Sequence, residues 1–362
     1  MSYNKELSYN NLPSLPPKVE IETKEILKKV ILAREALARL RIANKRLPNE
    51  FVLINSVMLQ EAKISSEIEN IVTTNDDLYQ AMVSGTEQIN PQIKEVLHYP
   101  TALWEGFNFV KKNGFLNTNL FIKLVAIIKE TDSGIRKITG TKIANPISGE
   151  VIYTPPEGEK IILEKMSNLD NYINDTQDDI DPLIRMAVIH YQFESIHPFY
   201  DGNGRTGRII NILFLILNNL LDNPILYLSK YIIDNKSDYY LNLRKVTENN
   251  EWERWVAFML DAVKETADYT EKKIENICEA MESIGVKIKN EAPNIYSREL
   301  VEVIFQLPYS KRKSLVDSGI VKEKTAGKYL LELEKIGILK SKKIGREKFY
   351  INNIFFNILK DK

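Results

Sequence analysis

His197-Pro198-Phe199-Tyr200-Asp201-Gly202-Asn203-Gly204-Arg205-Thr206-Gly207-Arg208 stands between two strongly helical segments. Its backbone must therefore turn and then open a new helix. Gly202 and Gly204 permit positive φ and let backbone N–H groups approach a ligand closely. Free amides at a helix start, with the helix dipole behind them, favour an anion. Arg205 and Arg208, three residues apart, share one face of the first turn. Arginines at a helix start oppose the dipole and need a reason. Two guanidinium forks beside an amide nest make a polyphosphate site. Asp201 adds repulsion to a bare phosphate site, but suits Mg²⁺, which takes one or two carboxylates plus phosphate and water oxygens. His197 is then a base beside a phosphate, able to deprotonate an incoming hydroxyl. The chain has 3 histidines, His98, His190 and His197. His190, two turns earlier on the preceding helix, reads as a packing residue. A glycine-rich loop alone is a weak signal, since Asp-Gly-Asn-Gly also serves plain turns. A plain turn does not require the histidine and two arginines around it.

Working outward, Asp181-Pro182 is an N-cap and first-turn pair opening the helix that ends near Glu194. On the other side, Ile209–Leu221 is apolar but interrupted by Asn211, Asn218 and Asn219. It is too short and too polar to span a bilayer and predicts a buried core helix. Upstream, helical spacing predicts helices over Glu25–Arg46, broken by Pro48, over Glu50–Glu69, over Asn90–Val110 with Pro91 in its first turn, and over Ile161–Asn174. Gly134–Thr154, with Gly140, Gly149 and the turn-like Asn145-Pro146, predicts a surface β-hairpin. Residues 1–17 read as a loose, extended arm. A composition shift near Glu291-Ala292-Pro293 precedes helical patterns over Arg298–Gln306, Lys311–Ser318 and Lys322–Ile336. Ile338–Lys342, the turn Ile344-Gly345-Arg346 and Lys348–Ile351 complete the outline of a winged helix.

A length of 362 residues suits two or three domains, and 44% hydrophobic with 27% charged residues is soluble globular composition. A formal net charge of zero gives the whole molecule no electrostatic reason for a polyanionic partner. A single cysteine, Cys278 on a predicted helix, excludes an internal disulfide framework and reads as packing in a reducing compartment. Met1–Pro17 lacks the pattern of a signal peptide, and a cytoplasmic location without membrane contact is expected. Lys311–Lys348 nevertheless carries 12 Lys/Arg against 5 Asp/Glu. Lys322, Lys324 and Lys328 would start a recognition helix, and Lys342, Lys343, Arg346 and Lys348 would decorate a wing. DNA binding and a solvated surface used for dimerisation or target docking both stand open.

The His197–Arg208 run resembles the Fic-domain signature, His-x-Phe-x-Asp/Glu-Gly-Asn-Gly-Arg-x-x-Arg, at every fixed position. The resemblance extends over Phe107–Val263 and more loosely over the whole chain. It implies an all-α fold: an N-terminal helical region (1–105), a helical catalytic core with a β-hairpin flap (106–280) and a winged-helix domain (281–362). It implies transfer of AMP from ATP, with Mg²⁺, to a Ser, Thr or Tyr hydroxyl of a target protein or of the chain itself. His197 would be the base and Asp201 the metal ligand. Gly202, Asn203 and Gly204 would form the anion nest, with Thr206 and Gly207 in the same nucleotide-binding loop and Arg205 and Arg208 on the phosphates. Tyr239 or Tyr240, in a stretch that precedes a helix, would lie near the adenine. The hairpin 134–154 would align the target segment by β pairing. Partners implied are ATP and the target protein, with a homodimer and DNA left open.

Ser65-Ser66-Glu67-Ile68-Glu69-Asn70 resembles the inhibitory helix motif of the same family, Ser/Thr-x-x-x-Glu-Gly/Asn. Ser65, Glu69 and Asn70 occupy its three specified places, and a spacing of four puts Ser65 and Glu69 on one helix face. A Glu69 carboxylate paired with Arg208 would take the guanidinium that a γ-phosphate needs. Two alternatives stand beside adenylylation. One is a nucleotide-sensing, DNA-binding regulator. The other is phosphorylation, as in Doc-like relatives, although those replace the second loop glycine with lysine where this chain keeps Gly204.

Overall fold

The computed structural model describes residues 3–47, 50–84, 90–144, 148–175, 177–344 and 347–360. Helices dominate it. In chain order they begin with α1 (Lys24–Asn44), α2 (Glu50–Ile68), α3 (Asn75–Ser84), α4 (Pro91–Asn113) and α5 (Thr118–Lys129). Two short strands follow, β1 (Ile143–Ala144) and β2 (Val151–Tyr153). Then come α6 (Glu159–Asn174), α7 (Pro182–Ile196), α8 (Asn203–Leu217), α9 (Leu228–Asp234), α10 (Lys236–Asn249) and α11 (Trp252–Glu291). The C-terminal unit holds α12 (Arg298–Ile304), β3 (Tyr309–Ser310), α13 (Arg312–Asp317), α14 (Glu323–Lys335), β4 (Lys340–Ile344), β5 (Glu347–Ile351) and α15 (Asn353–Leu359).

The centre of the molecule is the α7–loop–α8 unit. Asp181 caps α7 by accepting from the Leu183 amide, with Pro182 in the first turn, as its sequence predicts. Every residue of α8 from Ile209 to Ile216 is buried, Asn211 included, so the interrupted apolar run is a core helix. α4 crosses α8 at Gly106, where a Cβ would lie 2.4 Å from Leu213, so only glycine allows the two helices to approach this closely. α1 lies along α11 with Ala33 and Ala36 wholly buried, and Lys29–Asp261 (2.6 Å) and Arg39–Asp268 (2.5 Å) fasten its polar flank.

Several sequence expectations need adjusting. The hairpin is far shorter than its predicted span, pairing only Ile143 with Tyr153 and Ala144 with Val151, and its Asn145-Pro146 turn lies outside the described residues. Pro48 and the Gly345-Arg346 turn also lie outside them. The N-terminal arm is not loose. Tyr9 donates its amide to Thr154 O (3.0 Å), Thr154 Oγ1 donates to Lys5 O (2.6 Å), and Leu15 N–H reaches Asn168 Oδ1 (2.8 Å). Helices α3, α5, α9 and α15 escaped the periodicity reading, and α11 was read only as the helix of Cys278. α4 and α11 run unbroken through residues 105/106 and 280/281, so these boundaries fall within helices rather than in linkers. The composition shift at Glu291 instead marks the end of α11. Beyond it, the expected helix, helix, helix and hairpin order appears, with β3 added to a sheet of order β3-β5-β4.

Candidate active site

His197 ends α7 in the left-handed region, at φ 50°, a strained conformation for a residue with a side chain. Arg136 holds it there. This buried side chain donates Nε–H to His197 O (2.7 Å) and Nη2–H to Ile196 O (3.2 Å) and Pro156 O, while its own amide reaches Pro198 O (2.9 Å). Asn203 braces the loop from inside, accepting from the Phe199 amide (2.8 Å) and donating to Phe199 O (2.9 Å). Gly202 turns the chain at φ 79°, and a Cβ there would meet Val125 at 3.1 Å. The first bond into α8 runs from Thr206 N–H to Gly202 O, which leaves the amides of Asn203, Gly204 and Arg205 at the helix start.

One cavity, of about 160 Å³, collects His197, Gly204, Arg208, Glu69, Glu194, Tyr239 and Tyr240 on its walls. Within it, Arg208 is fully engaged by the end of α2. Its Nε donates to Ser65 Oγ (2.7 Å), and Nη2 donates to Ser65 O (2.7 Å) and Glu69 Oε1 (2.9 Å). Burial opposes the Arg208 charge, but Glu69 together with Tyr239, Glu194 and Tyr99 outweighs it and holds the guanidinium protonated. Glu69 Oε1 also sits only 2.0 Å from where a Gly204 Cβ would be, pressed against the first turn of α8. Asn70 follows in the left-handed region (φ 64°), which explains why the last motif position takes glycine or asparagine. The Ser65-x-x-x-Glu69-Asn70 pattern and the His197 loop, whose first members are 132 residues apart in the chain, therefore meet at one guanidinium.

The other candidates divide. Arg205 is buried and faces away from the cavity, pairing with Glu95 Oε1 of α4 (2.7 Å). Lys129 of α5 bridges Glu95 (2.5 Å) to Asp201 (2.5 Å). Burial works against all three charges, yet the pairing lowers the Glu95 and Asp201 carboxyls and raises the Lys129 ammonium. Thr206 is buried, and Gly207 packs on α7, where a Cβ would lie 2.5 Å from Glu194 Oε1. Tyr239 and Tyr240 lie inside α10 rather than ahead of a helix. Tyr239 is buried with its hydroxyl on His190 Nε2 (2.8 Å), and His190 stacks on Trp255. Tyr240 stays 45% exposed at the cavity mouth.

Burial, and then the Arg136 charge, push the His197 imidazole down to about 4, so it is neutral near pH 7. The Glu194 backbone, within reach of the ring, opposes that shift only in part. Burial pushes the Glu194 carboxyl up to about 8, leaving it neutral on the cavity wall. Among the described residues no group of three or more His, Cys, Asp or Glu side chains is placed to hold a metal. A lone Asp201 still fits Mg²⁺, which draws its other ligands from phosphate and water, and the Lys129 ammonium on Asp201 Oδ2 shows that a cation is favoured there. Arg136, Glu95, Lys129 and Glu194 went unread in the sequence. Only Glu194 left a local signal, as the one carboxylate of α7, three residues before His197.

Three family models match the chain: Fic/DOC family N-terminal over residues 27–108, Fic/DOC family over 115–215, and the C-terminal domain described as protein adenylyltransferase SoFic-like over 280–355. The chain belongs to the Fic/DOC family. A protein adenylyltransferase, fic-1, of Caenorhabditis briggsae is 27% identical over 146 residues, 40% of this chain and 26% of that protein. A probable protein adenylyltransferase of Aquifex aeolicus is 28% identical over 165 residues, 45% of this chain and 42% of that one. The chain thus spans between about a quarter and two fifths of the length of these curated relatives. A Fic family protein from Desulfovibrio desulfuricans G20 shares the fold at TM-score 0.57 and 19% identity, covering 93% of this chain and 98% of that chain. Fic-1 of Caenorhabditis elegans does so at TM-score 0.51 and 16% identity, covering 72% of this chain and 73% of that chain. The described residues of this Fic/DOC chain are mostly helical, with two small sheets, and no helix among them is long and apolar enough to cross a membrane.

Proposed function

We propose that this chain is a protein adenylyltransferase held in check by Glu69. The observation that carries the reading is the Glu69 carboxylate lodged between Arg208 and Gly204, in the cavity that His197 lines. A triphosphate entering that cavity meets amides at the start of α8 and one guanidinium, Arg208. While Glu69 holds Arg208, the γ-phosphate has no cation, and the α-phosphate rests out of line for attack. A misplacement of about 1 Å can cost on the order of a hundredfold in rate. With Glu69 withdrawn, neutral His197 accepts the proton of a Ser, Thr or Tyr hydroxyl as its oxygen bonds to the α-phosphorus. The bond to the β-phosphate breaks, pyrophosphate leaves, and the target carries AMP as a phosphodiester. Mg²⁺ held by Asp201 would neutralise phosphate charge. Arg205 acts indirectly, fixing α8 to α4 through Glu95. The short β1–β2 hairpin beside the cavity supplies a backbone edge for an extended target segment.

Transfer from ATP labelled at the α-phosphate or at the γ-phosphate tests this directly, with the native chain, Glu69→Gly and His197→Ala incubated with and without cell lysate. Label from the α position alone, raised at least tenfold in Glu69→Gly and lost in His197→Ala, is the expected result. Label from the γ position alone would make the chain a kinase. ATP binding without transfer in Glu69→Gly would favour a nucleotide-sensing role, with the basic C-terminal unit as the output.

A further inference from the structure

The cavity has two ends of different chemistry. His197, Gly204 and Arg208 form the polar end, whereas Ile143, Ile152, Tyr153 and Leu243 form a mainly apolar end between the hairpin and α10, with Arg244 and Thr247 beside them and Tyr240 between the two ends. Tyr3 of the N-terminal arm joins that second end. Its ring stacks on Tyr153 (6.1 Å between centroids, 22° between planes) and meets Tyr9 edge-on at 5.2 Å. The arm is fastened over the hairpin on both sides, by Lys5–Glu150 (2.5 Å) and Lys142–Glu6 (3.0 Å), and by the Glu157 amide on Asn10 Oδ1 (2.9 Å). Tyr3 is thus held in place by contacts that belong neither to the loop nor to α2.

We propose that Tyr3, delivered by the N-terminal arm, is a nucleotide-binding residue whose ring forms the outer wall for the base. The inference rests on the nucleotide reading of the cavity. Phosphates drawn to Arg208 and the α8 amides leave the nucleoside to run toward the apolar end, where a flat ring gains most from a flat partner. The Tyr3 hydroxyl takes no part in this assignment. The contribution of Tyr3 is therefore its ring.

Calorimetric titration of the Glu69→Gly/His197→Ala chain, which binds without turnover, separates the possibilities. ATP and inorganic tripolyphosphate are compared with Tyr3 native, Tyr3→Phe and Tyr3→Ala. Loss of a base-stacking ring predicts that Tyr3→Ala weakens ATP by about 5- to 100-fold. Tripolyphosphate affinity should stay unchanged, which also reports that the variant is folded, and Tyr3→Phe should bind ATP like the parent. Unchanged ATP affinity in Tyr3→Ala, equal weakening of ATP and tripolyphosphate, or loss of ATP binding in Tyr3→Phe would each overturn the assignment. A parent chain that binds neither ligand would overturn the nucleotide reading itself, and this inference with it.

Discussion

His197 is the residue at which chemistry and folding pull in different directions. A base must be unprotonated to act, and burial keeps this imidazole neutral well below the usual histidine range, at about 4. Glu69 opposes that shift, so its removal leaves the imidazole still harder to protonate. The pH dependence of kcat/KM reports groups of the free enzyme. For AMP transfer by Glu69→Gly, kcat/KM should therefore stay flat from pH 7.5 to about 5.5 and fall only toward pH 4, as the folded-state pKa is approached. An acid limb centred near 6.5 would mean a solvated imidazole and contradict the geometry. At this scale most of the site was legible. His197, Gly202, Gly204, Arg208, Ser65 and Glu69 converge because each sits in a run whose spacing carries a chemical requirement. Arg205 misled, since two arginines on one face cannot reveal that one of them turns back to Glu95 of α4.

Between elements, the end of α7 and the loop that begins at His197 are tied down by Arg136, from the segment that leads into the hairpin. Its guanidinium serves carbonyls at Pro156, Ile196 and His197, so one side chain joins the hairpin's exit, the end of α7 and the base. Arg136→Ala leaves those carbonyls without their donor in a buried site, and should lower stability by about 2–4 kcal/mol. Arg136→Lys should recover little of it, because an ammonium cannot copy the planar fork. Urea denaturation of both variants checks this, and a lysine variant close to native would show that charge alone suffices. No local pattern could have exposed Arg136, whose partners lie 20 to 61 residues away in the chain. The helices, by contrast, were legible where helical spacing met a proline or a cap, as at Pro91 of α4 and Asp181-Pro182 of α7, whereas the 40-residue α11 was read only around Cys278. α5 (Thr118–Lys129) was missed although its Asn117 cap is a proper start signal, because its apolar residues crowd more than one face.

Across the whole molecule, the C-terminal unit bears directly on the elements that carry the Ser65–Glu69 contact with Arg208, the proposed brake. Tyr309 of β3 donates its hydroxyl to Asp76 of α3, and its ring stacks on Tyr79 at 6.2 Å. Tyr79 accepts from Gln60 of α2 (2.7 Å), one residue from Glu61, whose buried carboxylate accepts from the Ser229 amide (2.9 Å) of α9 and from the Tyr99 hydroxyl (3.1 Å) of α4. The next turn of α2 carries Ser65, and Glu69 follows. This contact joins residues 233 apart in sequence, so nothing in the basic composition of Lys311–Lys348 announced it. Tyr309→Phe keeps the ring and removes one hydrogen bond to a carboxylate, worth about 1.5–3 kcal/mol. If the seat of α2 on the C-terminal unit helps hold Glu69 on Arg208, AMP transfer should rise in Tyr309→Phe, by less than in Glu69→Gly. The double variant should then transfer no faster than Glu69→Gly alone, because a brake already removed cannot be loosened further. Independent, multiplying increases would instead show that Tyr309 acts on the site by a route that bypasses Glu69.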